Sequence, residues 1–243
     1  MEYIGLTDKG PVRSINQDTF RIIEGLDYTI FMVADGMGGH SGGEVASMMA
    51  CETIEAHIKK EENVGIHTIL DGVRLSNENI LKRGKEDKSL KGMGTTLVLL
   101  FQGKEGFHFI NIGDSRLYGS TKGKLVQLSV DDSYVNMLVK SGGISKEEAQ
   151  RHPQRSMITK ALGTDKNLIV NSACIEEEYE QFLLCSDGLT SMVDDDTINS
   201  IIAGNEPVKY RVESMLQKAI ETGGHDNITV ILIDRRETGE NND

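Results

Sequence analysis

Five aspartates stand at the ends or turns of apolar, strand-like segments, each beside a Gly, Asn, Gln or Ser residue. They are Asp18, Asp35, Asp114, Asp187 and Asp226. Carboxylates at the tips of rigid strands are suited to binding hard divalent cations, and the lack of clustered His or Cys favours Mg²⁺ or Mn²⁺ over Zn²⁺. A pair of such ions can hold a water nucleophile and a phosphoryl oxygen, so the set predicts hydrolysis of a phosphate ester.

Two of these aspartates are followed by glycine, which has a simpler interpretation. Asp-Gly is common in hairpin turns, and for Asp35-Gly36 or Asp187-Gly188 alone a turn is the better interpretation. The turn hypothesis is weaker for the whole set, because a turn after an apolar segment does not need a carboxylate each time. The set favours a metal site assembled from distant segments.

Arg13 lies in the same early segment as Asp18. A guanidinium group can hold a tetrahedral phosphate through two donors at once, so Arg13 is a candidate for binding the phosphate of the substrate. An arginine on its own is more commonly an ordinary surface residue. Only the neighbouring aspartates favour the catalytic hypothesis here.

The glycine-rich segment 35–43 contains His40, the only histidine within this cluster. The segment does not match the nucleotide-binding pattern G-x-G-x-x-G, because Ser41 stands at the last glycine position. Its glycines instead predict a close approach of the backbone to a metal, with the Gly36 carbonyl oxygen as a candidate ligand. His40 is a candidate general acid, or a residue that only orders the loop.

Length and composition indicate one ordinary globular domain within the 243 residues. We expect the domain to span residues 1–235 and a polar tail to follow at 236–243. The formal net charge of -12 argues against nucleic-acid and anionic-membrane partners, which are bound by clustered Lys and Arg. The three cysteines lack metal-type spacing and favour a reducing compartment. With no apolar segment typical of a signal peptide or membrane span, we expect a cytoplasmic protein.

The elements that must position the candidate residues are predicted from apolar periodicity. Strands are predicted at residues 3–7, 18–23, 28–34, 95–100, 107–110, 115–118, 125–128, 168–175, 181–186 and 228–233, and helices at 43–60, 68–83, 134–139 and 208–222. The strands between 95 and 128 are predicted to form an antiparallel meander, and the polar segment 141–156 an exposed insertion. This pattern indicates an α+β fold in which helices cover sheets.

Short motifs containing these candidates follow one another along nearly the whole chain. They are Arg13 with Asn16-Gln17-Asp18, Asp35-Gly36-Met37-Gly38-Gly39-His40, Gly94-Thr95-Thr96, Gly113-Asp114-Ser115-Arg116, residues 158–163, Cys185-Ser186-Asp187-Gly188-Leu189 and residues 224–230. The combination closely resembles the metal-dependent serine/threonine protein phosphatases of type 2C, especially the short bacterial members. Each motif is weak alone, but the ordered set is specific.

The resemblance implies a four-layer α-β-β-α sandwich of two antiparallel sheets flanked by helices, with two Mn²⁺ or Mg²⁺ ions at one end. Asp35 would bridge the two ions, and the Gly36 carbonyl would bind the first. Asp187 and Asp226 would bind the second. Residues 140–160 would form a mobile flap beside the active site.

Two further aspartates receive roles from the same resemblance. Asp18 would act close to the paired ions through a water molecule. Asp114, together with Asp187, would hold a third and weaker ion. The resemblance therefore assigns all five aspartates to one centre.

The implied activity is direct hydrolysis of phosphoserine and phosphothreonine in proteins by a water that bridges two ions, with Arg13 stabilising the charge on the phosphoryl oxygens. The enzyme would act as a monomer and reverse the action of a bacterial serine/threonine kinase. One alternative is a non-catalytic phosphoprotein-binding pseudophosphatase, against which the intact aspartates count. Another is a metal-dependent nuclease or small-molecule phosphatase, and the acidic charge counts against the nuclease.

The sequence departs from the family pattern at two places. Members from higher organisms have His where Met37 stands, and that His is their proposed general acid, so its role does not transfer. Many relatives have Asp-His-Ser where this chain has Asp131-Asp132-Ser133. We assign no function to that position from the sequence.

Overall fold

The fold was obtained as a computed structural model, which describes residues 1–39 and 42–236. The described strands, in chain order, are β1 (Glu2–Asp8), β2 (Asp18–Glu24), β3 (Thr29–Met37), β4 (Gly94–Thr95), β5 (Leu97–Gly103), β6 (Gly106–Ile112), β7 (Arg116–Thr121), β8 (Lys124–Gln127), β9 (Asn171–Ile175), β10 (Gln181–Cys185) and β11 (Ile228–Asp234). The helices are α1 (Gly42–Ile58), α2 (Ile66–Glu86), α3 (Tyr134–Lys140), α4 (Lys146–Arg151), α5 (Asp187–Thr190), α6 (Asp195–Ala203) and α7 (Val208–Glu221), and a short 3₁₀ turn, Lys88–Leu90, follows α2.

The strands form two antiparallel sheets. The first sheet has the order β1-β11-β10-β7-β8, and the second has the order β2-β3-β5-β6-β9, with β4 paired to the end of β3. Each predicted strand and each predicted helix is present, with boundaries shifted by a few residues. None of the helices in the described ranges combines the length and apolar character that crossing a bilayer demands.

Three apolar layers hold the sheets and helices together. Side chains such as Phe31 and Val33 of β3 face Leu184 and Ile231 of the first sheet. Their neighbours point the opposite way, because side chains alternate across a strand, so Met32 packs under α1 and α2. On the first sheet, α6 and α7 cover the outer face in the same manner. The result is the predicted four-layer sandwich, which is confirmed.

The prediction of one meander between residues 95 and 128 is wrong. Hairpin β5-β6 belongs to the second sheet and hairpin β7-β8 to the first. The turn at 113–115 carries the chain from one sheet to the other. Alternating apolar residues are common to both sheets, so the sequence pattern identifies the strands without showing which sheet each one joins.

The predicted insertion at 141–156 lies within residues 140–160, which we call the flap segment, and it contains the short helix α4. Its start is fixed by a capping box in which Ser145 and Glu148 exchange backbone and side-chain hydrogen bonds. The base of the segment is closed by a hydrogen bond from the Tyr134 N–H to the Met157 carbonyl, at 2.8 Å. Helix α6 was not predicted, although the Asp194 side chain caps it by accepting from the Thr197 N–H at 2.8 Å.

Candidate metal centre

The strand ends bring the five predicted aspartates to one end of the sandwich. Asp18 at the start of β2 lies directly opposite Asp35 of β3. Asp187 follows β10 as the first residue of α5, Asp226 precedes β11, and Asp114 lies in the turn that joins the sheets. Burial raises the pKa of Asp35 most, and the negative charges of the other four aspartates each raise it further. Neither predicted Asp-Gly turn is a hairpin, since Asp35-Gly36 lies within β3 and Asp187-Gly188 within α5.

Asp18 joins the two sheets at this end. Its Oδ2 accepts hydrogen bonds from the hydroxyls of Ser186 and Thr229, both at 2.7 Å. Its Oδ1 is buried and has no partner in the described part of the protein. Burial raises the pKa of Asp18 to about 7 despite the two hydroxyl donors, and the charges of Asp187 and Asp226 add to the increase.

Asp35 is fixed through its backbone. Its N–H donates to Thr96 Oγ1 at 3.0 Å, and its carbonyl accepts from the Thr96 N–H at 2.9 Å and from the Thr95 hydroxyl at 2.9 Å. The Thr96 hydroxyl is bonded in turn to that of Ser115, at 2.7 Å. Burial of the Asp35 carboxyl group, followed by the charge of Asp18, raises its pKa well above the ordinary value.

Asp187 is brought beside Asp226 by a close backbone contact. A Cβ atom on Gly188 would lie only 2.0 Å from the Asn227 carbonyl oxygen, so glycine is required for α5 to approach the start of β11. Burial and the charge of Asp226 raise the pKa of Asp187. Asp187 Oδ1 is buried without a hydrogen-bond partner among the described residues.

Gly36 lies at a second close contact, between β3 and the first turn of α1. A Cβ atom on Gly36 would lie 2.0 Å from the Gly43 carbonyl oxygen, and one on Gly43 would lie 2.6 Å from the Gly36 carbonyl oxygen. The structure therefore explains both glycines by packing. The role of the Gly36 carbonyl as a metal ligand stays a prediction.

Arg13 lies at the edge of the centre and is about half exposed. Its Nη2 donates to Asp226 Oδ2 at 2.7 Å, and its Nε donates to the His225 carbonyl at 3.3 Å. A cavity of about 350 Å³ beside it is lined by Arg13, Ser14, Ile15, Gln17, Gly38 and Gly39. The predicted phosphate-binding residue thus faces both an aspartate of the centre and an open space.

Asn227 has a positioning role that we did not predict. Its buried side chain accepts from the Gln17 N–H at 2.8 Å and donates to the carbonyls of Lys9 and Ile15, at 2.8 and 2.9 Å. Asn227 thereby holds the loop that contains Arg13 close to Asp226. Its place next to that aspartate was the only sequence signal, because its partners lie more than two hundred residues away.

Asp114 is near the others but is surrounded differently. Burial, then the charges of Asp187 and Asp131, raise its pKa to about 7. The guanidinium group of the nearby Arg116 is bonded to Asp131. Its Nη2 donates to Asp131 Oδ2 at 2.8 Å, and its Nε lies 3.1 Å from both carboxylate oxygens.

The unassigned Asp131-Asp132-Ser133 sequence has structural contacts throughout. Asp131 accepts from Arg116, Asp132 forms an ion pair with Lys160 at 2.7 Å, and Ser133 caps α3 by accepting from the Asn136 N–H at 3.3 Å.

The donor set fits hard divalent cations. The carboxylates supply only oxygen atoms, and two buried carboxylate oxygens lack a protein donor. Within residues 1–39 and 42–236, no three Asp, Glu, His or Cys side chains already surround one point as metal ligands. Asp18 is bonded to the hydroxyls of Ser186 and Thr229, and Asp226 is bonded to Arg13. His40 lies outside the described residues, and its role stays a prediction.

Sequence comparisons identify relatives over almost the whole chain. A family model described as protein phosphatase 2C matches residues 12–222. The serine/threonine phosphatase stp of Listeria welshimeri is 35% identical over 247 residues, covering 94% of each chain.

Structural comparison gives the same result. The serine/threonine phosphatase Stp1 of Staphylococcus aureus superposes with a TM-score of 0.90 at 32% identity, over 96% of this chain and 94% of the other. The catalytic domain of the serine/threonine protein phosphatase PstP in complex with two manganese ions gives a TM-score of 0.81 at 33% identity, over 96% and 97%. The resemblance inferred from the sequence is confirmed: the chain belongs to the protein phosphatase 2C family and is a metal-dependent serine/threonine protein phosphatase.

Proposed function

We propose that this enzyme hydrolyses phosphoserine and phosphothreonine in proteins in one step, at a centre that holds two Mn²⁺ or Mg²⁺ ions. Asp35, Asp187 and Asp226 with the Gly36 carbonyl are the proposed ligands, and Asp35 is the one shared by both ions. The observation that carries the proposal is the gathering of five aspartates at one end of the sandwich, with a buried oxygen that lacks a protein donor on both Asp18 and Asp187. The two manganese ions of the PstP catalytic domain support it.

When bound, the two ions would supply a water nucleophile held between them and positive charge for the phosphoryl oxygens. The protein's own contribution is to hold the carboxylates at fixed positions. Thr95 and Thr96 hold the Asp35 backbone, and Ser186 and Thr229 hold Asp18. Preorganisation of this kind avoids the cost of reordering the site during the reaction.

Asp18 and Asp114 are proposed to act at the edge of the paired site. Asp18 Oδ1 is free of protein donors, which suits a contact to an ion through water. Asp114 is proposed to hold a third, weaker ion together with Asp187, whose charge already raises the pKa of Asp114.

Arg13 is proposed to bind the phosphoryl oxygens of the substrate. Its exposed side chain contacts Asp226 and borders the cavity, so a small change of rotamer could direct its donors to an incoming phosphate. Asn227 would position Arg13 by holding its loop.

His40 is proposed as the general acid for the leaving serine or threonine oxygen, since Met37 cannot donate a proton. A phenolate leaves readily without an acid, whereas an alkoxide does not. His40→Ala should therefore slow hydrolysis of a phosphoserine peptide much more than that of an aryl phosphate, at matched metal saturation. Equal effects on the two substrates would reduce His40 to a structural role.

The substrates are phosphorylated proteins, and we further propose that the enzyme acts as a cytoplasmic monomer that reverses the action of a serine/threonine kinase. The relatives named as serine/threonine phosphatases support the substrate class.

Metal dependence tests the two-ion proposal directly. Hydrolysis of a phosphoserine peptide should vanish in excess chelator and return with Mn²⁺, and calorimetry should detect at least two bound ions. Asp35→Asn should lose both the activity and one of the tight binding events. Full activity of Asp35→Asn would refute the assignment of a shared ligand.

A further inference from the structure

The flap segment carries a charge opposite to that of the rest of the protein. Lys or Arg occurs at five of its positions and Glu at two, whereas the whole chain has 38 acidic against 26 basic residues. A basic segment on an acidic protein is a local feature, and its effect depends on where the charges lie.

The acidic residues of the flap segment are confined to one end of α4. Glu147 and Glu148 stand in its first turn, and the Glu148 carboxylate accepts from the Ser145 N–H at 2.7 Å. Their negative charges offset the positive end of the helix dipole. Arg151 lies in the last turn, and Arg155 follows on the return to the base of the segment.

Three basic side chains of this segment face solvent. Lys140, Arg151 and Arg155 are exposed, and the ion pairs found among the described residues involve none of them. By contrast, Lys160 of the same segment is paired with Asp132. The exposed charges are therefore available to another molecule.

The base of the flap segment adjoins the carboxylate centre. The Asp132 N–H donates to the carbonyl of Gly113, the residue before Asp114, at 2.8 Å, and the Asp132 carbonyl accepts from the Thr159 N–H at 2.7 Å. Arg155 is four residues from Thr159, which limits their Cα separation to about 14 Å. An extended peptide whose phosphate occupies the centre could therefore place neighbouring residues against Arg155.

We propose that Lys140, Arg151 and Arg155 favour phosphorylated segments that carry a further anionic group, a carboxylate or a second phosphate, beside the phosphoserine or phosphothreonine to be hydrolysed. Charges are screened beyond about 8 Å at physiological salt, so we expect a substrate group that contacts these side chains to respond to them more than to the net charge of the chain. This specificity rests on the proposed function.

The test compares three phosphoserine peptides that differ only beside the phosphoserine, which is flanked by Ala, by Glu, or by a non-hydrolysable phosphonate analogue of phosphoserine. We expect kcat/KM for both anionic peptides to exceed that for the Ala peptide by about 3- to 10-fold, since exposed ion pairs contribute modestly. The two anionic peptides show which source of negative charge is preferred. The advantage should shrink in about 1 M salt.

In the variant Arg151→Glu/Arg155→Glu, kcat/KM for the anionic peptides should fall to or below that for the Ala peptide. The matched control is Lys104→Glu/Lys124→Glu, which makes the same charge change at exposed lysines in or beside the β5-β6 and β7-β8 turns, and its ratio should equal that of the wild type. Melting temperatures verify that both variants are folded.

The specificity proposal would be overturned if the ratio of kcat/KM for the anionic peptides to that for the Ala peptide were the same in the wild type and the flap variant. It would also be overturned if the control variant lost as much of this ratio as the flap variant does. Failure of the wild type to hydrolyse the Ala-flanked phosphoserine peptide with saturating Mn²⁺ would instead contradict the proposed function. The two failures are thus distinguishable.

Discussion

Strand β11 runs between two carboxylate sites that are built in opposite ways. Before its first residue, Asp226 joins carboxylates that repel one another. At its last residue, Asp234 accepts from Arg211 Nη2 at 2.5 Å, Arg236 Nη2 at 2.7 Å and Gln181 Nε2 at 3.1 Å. Burial alone would raise the pKa of Asp234, but the bonds from the two arginines outweigh it and lower the pKa to about 2.

The presence or absence of charged donors distinguishes Asp234, a structural carboxylate, from the carboxylates of the candidate metal centre. A buried carboxylate with charged donors stabilises the fold, whereas buried carboxylates without them cost stability unless a cation is bound. Asp18 and Asp187 keep unpartnered oxygens, and Asp234 does not. Among the described residues, the carboxylate oxygens buried without a partner lie at the end of the sandwich where we propose that the reaction takes place.

The sharpest test of this comparison is to neutralise a carboxylate at the metal centre. Asp187→Asn should reduce hydrolysis of a phosphoserine peptide by at least about 10³-fold, which corresponds to about 4 kcal/mol of transition-state stabilisation. Because the side chain is a poorly compensated charge without metal, the chelated variant should melt at the same or a higher temperature than the wild type. A large loss of stability would place Asp187 with the structural carboxylates.

The reciprocal change is Asp234→Asn, which leaves Arg211 buried without its carboxylate. Removing one member of a buried pair is expected to lower the free energy of unfolding by about 3 kcal/mol. Activity per folded molecule should be retained at low temperature, because Asp234 lies at the opposite end of β11. Urea denaturation measures the free energy of unfolding. A loss of turnover in fully folded Asp234→Asn protein would contradict a purely structural role for Asp234.

Asp114 should give a smaller and different effect. Asp114→Asn should reduce turnover by roughly 10- to 100-fold, since loss of one electrostatic contact to a transition state commonly costs a few kcal/mol. The two tight metal-binding events should remain, while the weakest one is lost. Calorimetry that finds an unchanged number of bound ions would contradict the proposed third site.

The stability of the protein should change with pH in opposite directions for the carboxylates of the metal centre and for Asp234. In the folded protein the pKa values of Asp18 and Asp114 are raised from 3.8 to about 7. Their contribution to the free energy of unfolding is therefore fully present below pH 3.8 and is lost as the pH rises through about 7. Asp234 contributes above 3.8 and loses its contribution as pH falls through about 2. The chelated protein should therefore melt at a higher temperature near about pH 5 than near about pH 8.

Saturating Mn²⁺ should diminish or reverse this difference, because the carboxylates must be deprotonated to bind the ion. Melting curves with chelator and with Mn²⁺ at the two pH values provide the measurement. Identical pH profiles in the two conditions would show that the raised pKa values do not belong to metal ligands.

Local patterns were sufficient to predict the strands, four helices and the gathering of the five aspartates at one end of the fold, whereas their roles as metal ligands stay predictions. A carboxylate at the end of an apolar segment such as 182–187 is visible in the sequence because strand and turn are neighbours there. The donors to Asp18 were not predicted, since Ser186 and Thr229 approach only after both sheets have formed. Helix α6 was missed although Asp194 caps its start and Ile198, Ile201 and Ile202 follow at helical spacing, because its nine residues hold only this short apolar period.

The pairing of β1 with β11 also determines when the centre can form during synthesis. β1 pairs with β11 along its whole length, from Glu2 opposite Asp234 to Asp8 opposite Ile228. β1 therefore cannot pair in its sheet until β11 has been synthesised, and Asp18 lacks its Thr229 donor until then. We expect nascent chains that end before residue 228 to be readily cleaved by protease and longer ones to resist it. The carboxylate centre would then form only after β11 has left the ribosome.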